Sequence, residues 1–167
     1  METFAVFFFP SVANNCFKGP PWIKYIFYGF TGVMLWRSQH HIFSDDGGSY
    51  SIAGIPIDTF GSDGAESVIG LFAQWGVSQL LLALVFLLIA LRYRALIPLM
   101  FLIAWVENLF RLGIGLYKPI GATDPPGLVG SVIFSILIPF ILILCYRAYC
   151  DSKKRTEANS IKISLEP

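Results

Sequence analysis

Long apolar runs alternate along this chain with short polar breaks, and the runs have the length of membrane helices rather than strands. Residues 95–117, ALIPLMFLIAWVENLFRLGIGLY, supply the ~20 residues that a helix needs to cross a hydrocarbon core. Residues 67–91 end in the almost unbroken QLLLALVFLLIAL, and only Arg92-Tyr93-Arg94 separates them from the next run. Pro98 then falls in a first helical turn, where a missing N–H costs little. A further span is expected over residues 127–146, where Gly127, Ser131 and Ser135 repeat every four residues as a surface for close packing. Within it Pro139 frees the carbonyl of Ser135, so a mild kink is expected. Residues 22–41 predict the remaining span. Pro20 and Pro21 suit its start, Trp22, Tyr25, Tyr28 and Trp36 serve as interfacial anchors, and Lys24 snorkels. Gly29 and Gly32 on that span offer a place for a second helix to come close.

The pattern therefore predicts an all-α fold, an integral membrane antiparallel four-helix bundle occupying residues 22–147. Residues 1–21 contain FAVFFFPSV, too short to span, and read as an interfacial segment held by its phenylalanines. A secretory signal is disfavoured, because the first charge is Glu2 and Pro10 interrupts the apolar run. The loop 44–66 carries Asp45, Asp46, Asp58 and Asp63 without a Lys or Arg, and YSIAGIPIDTF within it predicts a small hairpin or an ordered flap. Asp63 and Glu66 have the spacing of a capping box. The polar tail, 148–167, opens with Lys153, Lys154 and Arg155 and is expected to be disordered or surface-bound.

Composition agrees with this picture. The 167 residues suit one domain, and a mean hydropathy of +0.64 with 14% charged residues lies on the membrane side of soluble proteins. The net charge of +1 conceals a sorting by position. Lys18 and Lys24, then Arg92 and Arg94, then Arg147 and Lys153 to Arg155 fall on one side of a four-span topology. Most acids fall on the other, with Arg37 and Lys118. The positive-inside rule places both termini and the Arg92 turn in the cytoplasm, as for a bacterial inner membrane protein. No basic, aromatic-interleaved surface points to nucleic acid. Cys16, Cys145 and Cys150 have neither metal-ligand spacing nor an even number.

Candidate chemistry gathers at the outer half. Glu107, Asn108 and Arg111 lie inside a span, where ionisable residues are costly and mark functional candidates. At about 1.5 Å rise per residue, Gln74, Arg111 and Glu107 lie roughly 9–15 Å below the outer surface. Ser131 and Ser135 enter from the same side, and Arg37, His40 and His41 cap the end of the first span. Gln74 is expected to share an inward face with Glu66, Gly70 and Ser78. Glu107 and Arg111 stand four apart, where carboxylate and guanidinium meet, and Asn108 or Gln74 is available for the remaining donors. Two readings stay open: a buried clasp that fixes helix register, or a cavity that binds an anionic or carbonyl group on Arg111. In the second, the occupant is a lipid, a quinone, a small acid or a membrane partner subunit. His40 and His41 are adjacent and diverge by about 100° on a helix, so neither a metal nor another cofactor is expected. Trp75 and Trp105 read as packing residues.

With no nucleophile–base pair or cofactor motif in view, the leading expectation is a non-enzymatic accessory or lipid- or partner-binding membrane protein. The alternative is a membrane-embedded enzyme, isomerase-like or a redox accessory, acting on an apolar or anionic lipid or quinone. Glu107 would then be its acid/base and Arg111 its electrostatic stabiliser. A transporter would call for broken spans or internal repeats.

The glycine-bearing FYGFTGVMLW, the loop after it, the gapless hairpin and FRLGIGLYKP ahead of a Pro/Gly turn together carry a resemblance over residues 22–146. In these the chain resembles small four-helix bacterial membrane proteins of the DoxX-like and domain-of-unknown-function groups. That resemblance implies an accessory role in membrane redox or thiol systems, although this chain has no CxxC. More distantly it is similar to the four-helix sterol-isomerase-like fold, which implies Trp105, Glu107 and Asn108 as cavity residues.

Overall fold

A computed structural model describes residues 2–122 and 125–165, and among these the regular elements are all helices. They are α1 (Glu2–Phe8), α2 (Pro21–Phe43), α3 (Ser62–Arg92), α4 (Ile97–Tyr117) and α5 (Pro126–Leu165), with short 3-10 turns at Ile57–Thr59 and Arg94–Leu96. Three stretches among the described residues are long and apolar enough to cross a membrane: Ser62–Arg92, Arg94–Tyr117 and Gly127–Ile161. The protein is thus all-helical with three helices of membrane-spanning character. α2 is of similar length, but Lys24, Arg37, His40 and His41 dilute it, and it does not join that set.

α2 packs along α3, and α4 packs along α5. Aromatic rings join the two pairs: Phe27 of α2 stacks on Phe86 of α3 at 5.4 Å and meets Phe101 of α4 edge-on at 5.3 Å. Ile23, Ile97, Ile138 and Ile141 complete this buried centre. Outward, α3, α4 and α5 present Leu81, Leu88, Phe110 and Ile136, a surface matched to hydrocarbon.

The close crossing of α2 and α3 lies at Gly76. A Cβ there would stand 2.7 Å from the His41 Cβ and 3.2 Å from the Ser38 carbonyl oxygen. Gly29 and Gly32, expected to receive a helix, face open space instead. The reason is periodicity: Ile23, Phe27, Thr31, Met34, Ser38 and His41 form the buried stripe of α2, and both glycines lie off it.

The two prolines sit as their chemistry requires. Pro98 opens α4. Pro139, inside α5, removes the N–H that would have met the Ser135 carbonyl, and the Trp105 indole Nε1 donates to that carbonyl at 3.0 Å.

Three local expectations are refined or corrected. The phenylalanine segment, expected at an interface, also packs on the bundle: Phe7 and Phe8 are buried, Phe7 meets the Tyr146 ring at 5.3 Å, and the Ala95 N–H donates to the Asn14 carbonyl at 3.1 Å. Residues 2–21 thereby close the bundle end that carries the α3–α4 turn. The tail is helical to Leu165 rather than disordered. After Pro139 no Gly or Pro interrupts α5, and Lys, Arg, Glu and Ala favour its continuation. The Asp63–Glu66 capping box does not form, because α3 starts earlier, with Gly61 at its N-cap. Asp63 instead lies in the first turn, where a carboxylate favours the helix dipole.

Between α2 and α3 the loop forms turns and no strand, so it is the ordered flap and not the hairpin. Asp46 organises it, accepting from the Ser51 N–H at 2.7 Å, the Gly48 N–H at 2.9 Å and the Ser44 hydroxyl at 2.9 Å. Gly48 has φ +73, and a Cβ on it would stand 2.6 Å from the His41 Nδ1, so the turn needs glycine twice over. The flap reaches α5 through the Gly127 N–H, which donates to the Ile52 carbonyl at 3.3 Å.

Burial alone would raise the Asp46 pKa, but the donors from Ser51, Gly48 and Ser44 outweigh it and hold the carboxyl well below the usual carboxylate range. A depressed folded value means stabilisation that is present above the unfolded value of about 4 and is lost as the pH falls below it. Hydrogen-exchange protection of residues 44–61 should therefore weaken as the pH drops from 5 to 2 (about the carboxylate range). Asp46→Asn should show weak protection at neutral pH. Wild-type protection that holds steady through this acid range would contradict the assignment.

Candidate functional site

Each of the four long helices brings a pair of residues spaced by four to the flap end of the bundle. They are Arg37 and His41 on α2, Trp75 and Gln79 on α3, Glu107 and Arg111 on α4, and Ser131 and Ser135 on α5. Residues four apart on a helix share a face, so each pair presents two side chains side by side.

The first three pairs interlock. Arg37 Nε donates to Gln79 Oε1 at 3.0 Å. Arg111 pairs with Glu107 through Nη2 and Oε1, and its guanidinium lies 5.3 Å from the centre of the Trp75 ring. Trp75 in turn packs on His41, ring centres 5.2 Å apart, while His41 Nδ1 stands 2.8 Å from the Gly47 carbonyl oxygen of the flap. Arg37 lies within electrostatic reach of both Arg111 and Glu107. The layer thus ties α2, α3 and α4 to the flap.

The serine pair serves a separate purpose. Asn108 Nδ2 donates to the Ser131 carbonyl at 2.9 Å and to the Ser135 hydroxyl at 2.8 Å, and that hydroxyl donates to the Ser131 carbonyl at 2.9 Å. Asn108 is therefore committed to α5 and does not satisfy Arg111. Trp105 spends its indole on the same helix. These two residues clamp α4 to α5 alongside the charged layer.

Two other candidates fall outside. Gln74 is exposed, as are Glu66 and Ser78, so the polar stripe of α3 points away from the bundle. His40 turns from His41, standing 3.0 Å from the Ser51 hydroxyl and stacking on Trp36. Among the described residues no three His, Cys, Asp or Glu side chains converge as a metal site. In place of Gln74 the structure puts Gln79, which is only 7% exposed, and Trp75. The signal for Gln79 was available: Gly76, Gln79, Ala83, Phe86 and Ala90 follow the helical period as the buried stripe of α3.

The balance of the layer is unusual for a finished structural clasp. Two guanidiniums lie within electrostatic reach of one carboxylate, Glu107, and only Arg111 is paired with it. Gln79 Nε2 and Arg111 Nε are buried donors with no partner among the described residues. An unmet buried donor costs about 1–3 kcal/mol. The Arg111 and Glu107 side chains are 28% and 41% exposed, so the layer opens along α4 and closes towards α2.

The arrangement defines an all-helical protein with three helices long and apolar enough to cross a membrane and a donor-rich layer at one end. Comparison with protein-family models, with characterised proteins and with solved structures gives no match.

Proposed function

We propose that the chain is a non-enzymatic, accessory-type membrane protein that holds a lipid-soluble ligand on its charged layer. In this reading α2 is a fourth span, both termini are cytoplasmic and the layer lies in the outer half. The support for α2 is its packing along α3, itself of spanning length. Orientation rests on the basic residues at the α3–α4 turn and both terminal segments.

The observation that carries the binding role is the pair of unmet buried donors, Gln79 Nε2 and Arg111 Nε, beside a site that opens to the surface. A clasp serving structure alone would be expected to satisfy them. Catalysis by Glu107 is less favoured, because Arg111 engages its carboxylate.

Two measurements test this. Cys16 is exposed in the N-terminal segment, so a membrane-impermeant maleimide should label it in inside-out vesicles and not in right-side-out ones. The reverse pattern would overturn the orientation. Native mass spectrometry of the protein extracted gently from its own membranes should find a bound small molecule that Arg111→Met loses. An identical set of adducts on both proteins would remove the binding role.

A further inference from the structure

Resting on that binding role, we infer that the layer receives a singly charged group with two terminal oxygens, carried on an apolar chain. A fatty-acid carboxylate and the phosphodiester of a phospholipid share this chemistry.

Charge comes first. Arg37 and Arg111 against Glu107 leave one formal positive charge over, on a layer that closes towards α2. A neutral quinone would leave that charge unbalanced. A dianion would exceed it and add repulsion with Glu107. A monoanion closes the count.

Donor geometry comes second. The orientation of the Gln79 amide is settled by chemistry, since Arg37 Nε is a donor and only the amide oxygen can accept from it. The Nε2 donors are therefore the free branch, on a side chain more than nine-tenths buried. Arg111 is likewise oriented, held by Glu107 through Nη2 and by the Trp75 face, with Nε left over. One amide donor and one guanidinium donor, both on side chains held by other contacts before any ligand arrives, leave two hydrogen bonds for an acceptor group to fill.

The apolar chain has a path. From the open side at Glu107 towards the membrane centre, Val106 and Ile103 follow along α4, Ile103 four residues back on the stripe of Glu107, and they are 40% and 39% exposed. The anion would sit on the layer with its chain along these two side chains.

The test uses the full-length protein in an uncharged detergent, with bound species counted by native mass spectrometry. The probes are oleate, oleyl alcohol, phosphatidylglycerol and acetate. Oleate or phosphatidylglycerol should bind one per chain, and whichever binds more tightly identifies the source of the anion. Oleyl alcohol should bind about tenfold more weakly or worse, and Gln79→Leu should weaken the anion by a similar factor. Glu107→Gln should strengthen it, because that change removes a competing carboxylate and no donor. Arg37→Gln should weaken the anion as well, because it removes the surplus charge, and if that variant does not fold the gain in Glu107→Gln reads the same point. Oleyl alcohol binding as tightly as oleate, with no gain in Glu107→Gln, would overturn the anion assignment. The broader binding role would still stand in that case if Arg111→Met abolished binding of both. Acetate competing as well as oleate would overturn the need for an apolar chain.

Discussion

Gly76→Val should destabilise the protein by about 3 kcal/mol, the upper part of the usual range for overpacking. Even a single Cβ at Gly76 would stand 2.7 Å from the His41 Cβ and 3.1 Å from Ile42 Cγ1. Neither atom is the free end of a flexible side chain, so α2 and α3 would have to separate. His41 also carries the contact to Gly47 and packs on Trp75, so the displacement would pass into the flap and the charged layer. Gly70→Ala is the natural control. It lies on the same helix with open space around it, and helix propensity alone should make it neutral or stabilising by up to about 1 kcal/mol. Denaturant unfolding of the three proteins in detergent measures both signs. Equal stability for Gly76→Val and wild type would mean that α2 does not cross α3 at this point.

The next largest effect is expected at Asn108. Asn108→Ala removes two bonds to α5 and leaves the Ser131 carbonyl with one donor fewer. Interhelical hydrogen bonds in membranes contribute modestly, with double-mutant cycles averaging about 0.6 kcal/mol. Two such bonds together with the cavity left by a buried side chain give about 2 kcal/mol. The Asn108 and Ser135 substitutions should couple, since each removes one end of the same contact. Strict additivity in that cycle would place Asn108 outside the clamp.

Much of the fold was legible in the sequence because the features that specify it are local. The two-proline arrangement is one case: Pro98 could only suit a first turn, and Pro139 had to free the Ser135 carbonyl. The identity of the donor that takes up that carbonyl, Trp105, was not legible, because it comes from another helix. The Glu107–Arg111 pair was readable from its spacing, and it forms.

Facing was harder. α3 carries two polar residues five apart, Gln74 and Gln79, and its leucine-rich second half provides little contrast to say which one turns inwards. A stripe repeating every four residues looked like an interior face. The small residues Gly76 and Ala83 marked the true one, because they allow α2 to approach. The same confusion misplaced the contact surface of α2, where Gly29 and Gly32 are small but lie off the buried stripe. Docking of Phe7 against Tyr146 joins the two ends of the chain, a distance over which hydrophobic periodicity carries no information.

The central claim is that the charged layer is a place for a ligand and not only a clasp. The most direct measurement takes Glu107→Gln, Arg111→Met and the double variant, and records unfolding stability and bound molecules on the same samples. The account predicts that the double variant keeps most of the wild-type stability yet loses the bound molecule, because the two paired charges have been removed together and the Arg111 donor with them. If the double variant regains the stability that either single change costs and carries the same bound species as the wild type, the layer is a clasp and the binding role falls.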